Sequence, residues 1–308
     1  MKRTYYDVSR NGFYGAYWPC KENTDSGLIL MLGDDIDDLL AKAGVKWLHD
    51  QKCNVLTMAP AKHDYGHHEY PLERIEEGIR LLKSKGNTRI GIAGASTTGM
   101  LAMTAASLIP EITLTIAISP SDFVMEGFYR DGLDGCDERP SGSSSLSYRG
   151  KPLPYLPYAY RHPEYWQKLK EEASEGKDMA AARKMFDLSE QMHPLQEEEK
   201  IKVENIQGIV CPIGCEDDVL WDTCRYIRRM EERLRDHSHT CIFEPMIYEH
   251  GTHFAFPEGM IRKILPFGDS LLVSAAFKAG REYPKECRRT RDDIEEKLKK
   301  ILEQWKSQ

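Results

Sequence analysis

Three stretches of this 308-residue sequence place a hydroxyl, a carboxylate and an imidazole at the ends of short apolar runs, a combination suited to nucleophilic acyl transfer. In RIGIAGASTTGM, starting at Arg89, Ser96 stands where an apolar run meets a helical-looking segment. A serine on a tight strand-to-helix turn can act as a nucleophile if its neighbours are small, and Gly94 and Ala95 meet that need. Serine and threonine also cap helices, so a capping role for Ser96 or Thr97 stays open. The place of a usual second glycine, two positions after the serine, holds Thr98, with Gly99 one residue later.

The second stretch, IVCPIGCEDDVLWDT, runs an apolar segment into Asp217 and Asp218. A carboxylate just past a parallel strand sits at the sheet edge where the serine turn also emerges. A solvated acidic loop or a helix cap is the alternative. The third, FEPMIYEHGTHFAFPEG, places His253 in a glycine-containing loop, with His250 as a nearby competitor. Serine, aspartate, histidine is the chain order of α/β-hydrolases.

The elements that must hold these groups follow from apolar patterning. GLILML, NVLTMA, RIGIAG, TLTIAI, GIVCPI and CIFEPMIY are too short for helices and too uniformly apolar for a one-sided sheet, so they suit strands of a parallel sheet covered on both faces. Between them lie amphipathic segments: IDDLLAKAGVKWLHD, PLERIEEGIRLLKS, TTGMLAMTAASL, LWDTCRYIRRMEERLRD and the closing RDDIEEKLKKILEQW. The alternation predicts a doubly wound, mostly parallel α/β fold. Residues 1–308 are read as one domain, interrupted from about 121 to 204 by a proline-, tyrosine- and charge-rich excursion read as an inserted lid.

Composition narrows the partners. With 42 basic against 49 acidic residues, the net charge is −7, which argues against a dedicated nucleic-acid surface. No apolar run approaches the roughly 20 residues of a membrane span, and the N-terminus lacks a continuous apolar signal core, so a cytoplasmic location is expected. The eight cysteines, Cys20, Cys53, Cys136, Cys211, Cys215, Cys224, Cys241 and Cys287, never form a Cys-x-x-Cys pair and are read as reduced, mostly buried thiols. His63, His67, His68 and Glu69 do not match a helical zinc spacing and are read as a polar loop near the mouth of the site, so no metal or other cofactor is expected.

From about Gly27 to the last helix, the chain resembles the C-terminal catalytic domain of the acyl-CoA thioester hydrolases and of bile acid-CoA:amino acid N-acyltransferase, an α/β-hydrolase family. The blocks that carry the likeness are GIAGASTTGMLAMTAASLIPEITLTIAISP, SLSYRGKPLPYLP, MHPLQEEEKIKVENI, GCEDDVLW and YEHGTHF. The resemblance implies an α/β-hydrolase fold with Ser96 as nucleophile, His253 as base and Asp218, three residues before Trp221, as the orienting acid, with Asp217 the nearest rival. It also implies an oxyanion hole from the backbone N–H groups of Asp34 and Thr97. Where the family has a glycine-rich loop, this chain has LGDDIDDLL, and Asp34, Asp35, Asp37 and Asp38 are read as favourable charge at a helix N-terminus. The expected activity is hydrolysis of a small-molecule acyl thioester or ester through an acyl-enzyme. Other readings are a carboxylesterase or peptidase on the same scaffold, an acyltransferase using the same intermediate, and a non-catalytic binding protein.

Overall fold

The computed structural model describes residues 3–22, 24–32, 35–62, 66–127, 142–159, 167–168, 170–172, 178, 181–264 and 277–308. Twelve strands are seen among them: β1 (Thr4–Tyr6), β2 (Gly15–Trp18), β3 (Ser26–Met31), β4 (Asn54–Met58), β5 (Tyr70–Pro71), β6 (Arg89–Ala95), β7 (Leu114–Ile118), β8 (Leu146–Tyr148), β9 (Lys151–Pro152), β10 (Ile209–Cys215), β11 (Ile242–Phe243) and β12 (Met246–Tyr248). Nine of these form the central sheet in the order β1-β2-β4-β3-β6-β7-β10, with β11 and β12 both pairing to β10. From β4 to β12 every pairing in this sheet is parallel; β1 and β2 add an antiparallel edge.

The uniformly apolar runs became central strands because both faces of the sheet are covered. One face packs on α3 (Glu73–Ser84), α4 (Thr97–Leu108) and α6 (Thr223–Asp236), burying Ile75, Met100, Tyr226 and Met230 in one apolar layer. The other packs on α2 (Leu39–Asp50), α7 (Glu258–Ile264) and α9 (Pro284–Ser307), with Trp47, Met260, Leu298 and Trp305 in a second layer. Helix α4 is buried continuously from Thr98 to Ala106, as expected of a helix that is apolar on all sides. Short helices α1 (Val8–Asn11) and α8 (Lys278–Glu282) complete this frame, with α5 (Ala181–Met192) inside the excursion.

Three details differ from the sequence reading. The run CIFEPMIY forms two short strands, because Pro245 has no N–H for the ladder, and each half pairs separately with β10. β1 and β2 mix tyrosine with small residues, so no apolar run marked them. The acidic loop is also more than helix-end charge. Asp38 does cap α2, accepting the Ala41 N–H at 2.8 Å, but Asp35 accepts the Tyr14 hydroxyl at 2.8 Å and Asp37 that of Tyr5 at 2.8 Å. These two carboxylates tie the antiparallel edge to the loop after β3.

The excursion leaves and rejoins the core at one place. Val124 N–H donates to Glu199 C=O at 3.0 Å, Ile201 N–H donates to Asp122 C=O at 2.9 Å, and Phe123 and Val203 are fully buried in the α4 layer. Strand β8 pairs with β5 and β9 in a separate three-stranded sheet. Helix α5 is held to α6 by Arg225, whose guanidinium lies 2.9 Å from Asp187 and 3.0 Å from Glu190, and by Arg229, 2.6 Å from Glu190. Among the described residues no helix is long and apolar enough to cross a membrane. The described cysteines are free and buried, and Cys136 lies outside the described residues.

Candidate active site

Ser96 follows the last residue of β6 and precedes the first of α4, with φ 60° and ψ −127°. A non-glycine residue at positive φ is strained, and its hydroxyl makes no capping bond to the helix. The capping role for Ser96 that the sequence left open is therefore absent: a helix-capping serine sits in the extended region with its oxygen on an N–H of the first turn. The fold permits this turn through two glycines. A Cβ on Gly94 would lie 2.1 Å from the Thr98 carbonyl oxygen, and one on Gly99 would lie 2.9 Å from that of Ile118.

Thr98, the departure from a second glycine at that place, has a use of its own. Its hydroxyl lies 2.7 Å from the Met31 carbonyl at the end of β3 and 2.8 Å from that of Ala95, while accepting the Ala95 N–H at 3.0 Å. It ties the serine turn to the strand leading into the acidic loop. Close approach of α4 to the next strand falls to Gly99 instead.

The acid and base candidates sort into two pairs. His253 Nδ1 lies 2.8 and 3.0 Å from the two carboxylate oxygens of Asp218, and both side chains are fully buried. Asp218 also accepts the Leu220 N–H at 2.9 Å and the Thr223 hydroxyl at 2.7 Å. With Nδ1 facing a carboxylate, the ring proton belongs on that nitrogen, leaving the Nε2 lone pair available. Nε2 is buried and has no hydrogen-bond partner among the described residues. The rivals pair with each other: His250 Nδ1 lies 3.0 Å from Asp217 Oδ2, and its ring stacks on Tyr283 with centroids 4.0 Å apart.

Trp221 sets the imidazole plane. Its ring meets that of His253 edge-on, with centroids 4.6 Å apart, and is itself met edge-on by Phe186 of α5 at 5.2 Å. From the same helix, Arg183 donates to the Asp218 backbone carbonyl at 3.0 Å and pairs with Asp222 at 2.7 Å. The excursion thus touches the acid and, through Trp221, the base. Cys215, at the end of β10, is no competing nucleophile, because burial pushes its thiol well above the ordinary range and keeps it protonated.

The structure brings Asp218 and His253 together, but no hydrogen bond joins His253 Nε2 to the Ser96 hydroxyl. The serine is tied to the pair through backbone: its N–H donates to Ile118 C=O at 2.8 Å, and the next residue, Ser119, contacts the loops of both the acid and the base. Thr97 opens α4, where first-turn N–H groups have no acceptor within the helix. Asp34 and His63 lie outside the described residues. The sequence reading of the remaining histidine loop needs correction: His67 is wholly buried, edge-on to Tyr70 at 5.8 Å, and desolvation pushes its pKa down to about 3. It sits in the interior against Tyr70, not on a solvated rim. Contacts around these candidates that the sequence did not single out are those of Ser119, Thr223 and Arg183.

A cavity of about 500 Å³ lies beside the acid pair, lined by Arg183, Lys184, Asp217, Asp218, Lys278 and Tyr283 among others. Ser96 and His253 do not line it, so it is not where a carbonyl would meet the serine.

The family model described as BAAT / acyl-CoA thioester hydrolase C terminal matches residues 70–258, which include Ser96, Asp218 and His253. Among curated proteins none matches the sequence. Among solved structures, the Pyrococcus furiosus esterase Pf2001 is similar in fold, with a TM-score of 0.50 at 15% identity, covering 96% of this chain and 88% of that one. A second crystal form of that esterase gives 0.51 at 14%, covering 95% of this chain and 86% of that one. The Pyrococcus horikoshii acylaminoacyl peptidase gives 0.50 at 9%, covering 94% of this chain but 39% of that one. At these identities the likeness concerns the α/β-hydrolase fold alone.

Proposed function

Because this chain belongs to the BAAT / acyl-CoA thioester hydrolase C-terminal family, we propose that it is a serine hydrolase of acyl thioesters acting through Ser96, His253 and Asp218. The observation that carries the reading is the backbone of Ser96: a strained serine on the turn between β6 and α4 whose hydroxyl makes no capping bond to the helix and no hydrogen bond among the described residues.

His253 Nε2 takes the hydroxyl proton as Ser96 Oγ attacks the acyl carbonyl carbon, and Asp218 stabilises the resulting imidazolium through the Nδ1 proton. The carbonyl oxygen takes up negative charge and accepts hydrogen bonds from the backbone N–H groups of Thr97 and Asp34. Collapse of the tetrahedral intermediate breaks the carbon–sulfur bond, and the imidazolium protonates the departing thiolate. Water then attacks the acyl-serine with His253 as base, releasing a carboxylic acid and restoring the hydroxyl. A 2.8 Å Asp–His contact with an unpaired Nε2 supports this order of proton transfers. The bond from Nε2 to the hydroxyl forms when substrate is bound, since such contacts are often long in empty sites.

The chain is read as one domain with an inserted lid at about 121–204, α5 being the part that reaches the acid. The test is a panel of acyl-CoA thioesters, p-nitrophenyl esters and acylated peptides, assayed with the parent protein and Ser96→Ala. The expected result is fastest turnover of a thioester, with Ser96→Ala reduced by roughly 10⁴-fold or more. Faster cleavage of simple esters or peptides would reassign the substrate to an esterase or peptidase. Acyl transfer to an added amine or alcohol in preference to water would make the enzyme an acyltransferase. Full activity in Ser96→Ala would reject the nucleophile.

A further inference from the structure

Every polar group of Ser119 is engaged, and each engagement leads to a different part of the site. Its N–H donates to Ile213 C=O in β10 at 2.7 Å. Its hydroxyl donates to the backbone carbonyl of His253 at 2.7 Å. Its own carbonyl accepts the Trp221 indole N–H at 3.0 Å, and that indole packs edge-on against the His253 ring. The preceding residue, Ile118, accepts the Ser96 N–H at 2.8 Å.

Ser119 is almost wholly buried, has φ 48°, and precedes Pro120. A non-glycine residue at that φ is strained, and the proline further restricts it. A glycine would relieve the strain, but it would leave the His253 carbonyl without the hydroxyl. The strain turns the chain sharply at the end of β7, so that adjacent residues can reach the nucleophile turn, the acid loop and the base loop.

We propose that Ser119 is a positioning residue that holds the His253 imidazole in register with Ser96, a role that rests on the triad reading above. It touches no substrate. Its hydroxyl fixes the height of the histidine loop, and its carbonyl fixes Trp221, which limits rotation of the ring. A small displacement of a general base slows proton transfer steeply while leaving substrate affinity largely intact.

The experiment compares second-order labelling by a fluorophosphonate, kcat and KM on a p-nitrophenyl ester, and Tm, for the parent, Ser119→Gly and Ser119→Thr. Glycine suits the positive φ but lacks the hydroxyl. Threonine keeps the hydroxyl but carries a β-branch at a strained position. Ser119→Gly is expected to keep Tm close to the parent while labelling and kcat fall about tenfold or more, with KM within about twofold. Ser119→Thr is expected to lower Tm yet label within about threefold of the parent. This crossed pattern separates positioning from a purely structural role, in which labelling would follow Tm.

Parent-like labelling in Ser119→Gly, or a loss of labelling that tracks Tm in both variants, would overturn the inference. If Ser119→Gly does not fold, Trp221→Phe supplies the same test through the other contact: slowed labelling with unchanged KM supports the inference, and parent-like labelling rejects it. A parent protein that is not labelled at all removes the triad reading itself, and the role of Ser119 with it. A labelled parent with an indifferent Ser119→Gly removes only the latter.

Discussion

Two aspartate–histidine pairs lie side by side in this molecule, and their contact distances hardly differ. Asp217 Oδ2 is 3.0 Å from His250 Nδ1, and Asp218 Oδ2 is 2.8 Å from His253 Nδ1. Their surroundings differ completely. The first pair keeps 27% and 24% of its side-chain surface in solvent, while the second keeps none. A partly exposed pair of this kind is screened by solvent and is worth about 1 kcal/mol or less. When it is buried, with two further donors on the carboxylate, one tautomer and one ring orientation are imposed. His250 spends its ring face on Tyr283, whereas His253 presents Nε2 with no partner. Contact distance alone would not separate the proposed catalytic pair from its partly exposed neighbour; burial, the extra donors and the unpaired nitrogen do.

The largest expected effect breaks this contrast directly. Asp218→Asn keeps the shape but removes the charge and favours the wrong tautomer, and is expected to lower kcat by about 10³- to 10⁴-fold. Asp217→Asn is expected to stay within about threefold of the parent, since that pair is partly exposed and, among the described residues, makes no hydrogen bond to His253. Steady-state rates on one ester check both, and equal losses would erase the distinction. A smaller effect follows from the donors on Asp218. Thr223→Val deletes the 2.7 Å hydroxyl bond at nearly constant volume and is expected to lower kcat about tenfold. An unchanged kcat would show that the carboxylate needs no such support.

The smallest effect concerns a third histidine state. His67 is buried with its pKa pushed down to about 3 by desolvation, against about 6.5 in an unfolded chain. Above about pH 6.5 the residue is neutral in both states and contributes no pH dependence. Between about pH 6.5 and 3 the unfolded chain binds a proton that the folded chain refuses, so stability falls with acidification by at most about 1.4 kcal/mol per pH unit. His67→Gln removes that component, and its Tm should decline less steeply than the parent's between pH 6.5 and 4.5. Parallel declines would place the acid sensitivity elsewhere.

Much of this arrangement was legible in the sequence because apolar uniformity is a local property. Runs such as GLILM and TIAI declare two covered faces without knowledge of their neighbours, and β3 and β7 fall on them. The outermost strand TYY is largely exposed, and its inner neighbour GAYW is too short and too mixed in residue type to form an apolar run, so neither carries such a mark. Between Asp217 and Asp218, residue type and strand position alone left the choice open, and only the spacing of Asp218 to Trp221 in the family resemblance favoured the latter acid. The two acids are adjacent, and the turn in which Asp218 N–H donates to Cys215 C=O directs one inward and the other outward. The same resemblance named His253 over its competitor His250, while nothing local in the sequence showed that His250 would pair with Asp217. Thr98 looked like a blemish in the serine turn because its bond to Met31, 67 residues away in sequence, is invisible locally. Ser119 was silent for the same reason: its partners are Ile213, Trp221 and His253.

The most direct test of the whole account is to locate a fluorophosphonate adduct on the parent protein by mass spectrometry of its peptides. A single adduct on the peptide bearing Ser96, absent from Ser96→Ala and slowed strongly in Asp218→Asn but not in Asp217→Asn, is the expected result. An adduct on another residue, or labelling that survives in Ser96→Ala, would contradict it.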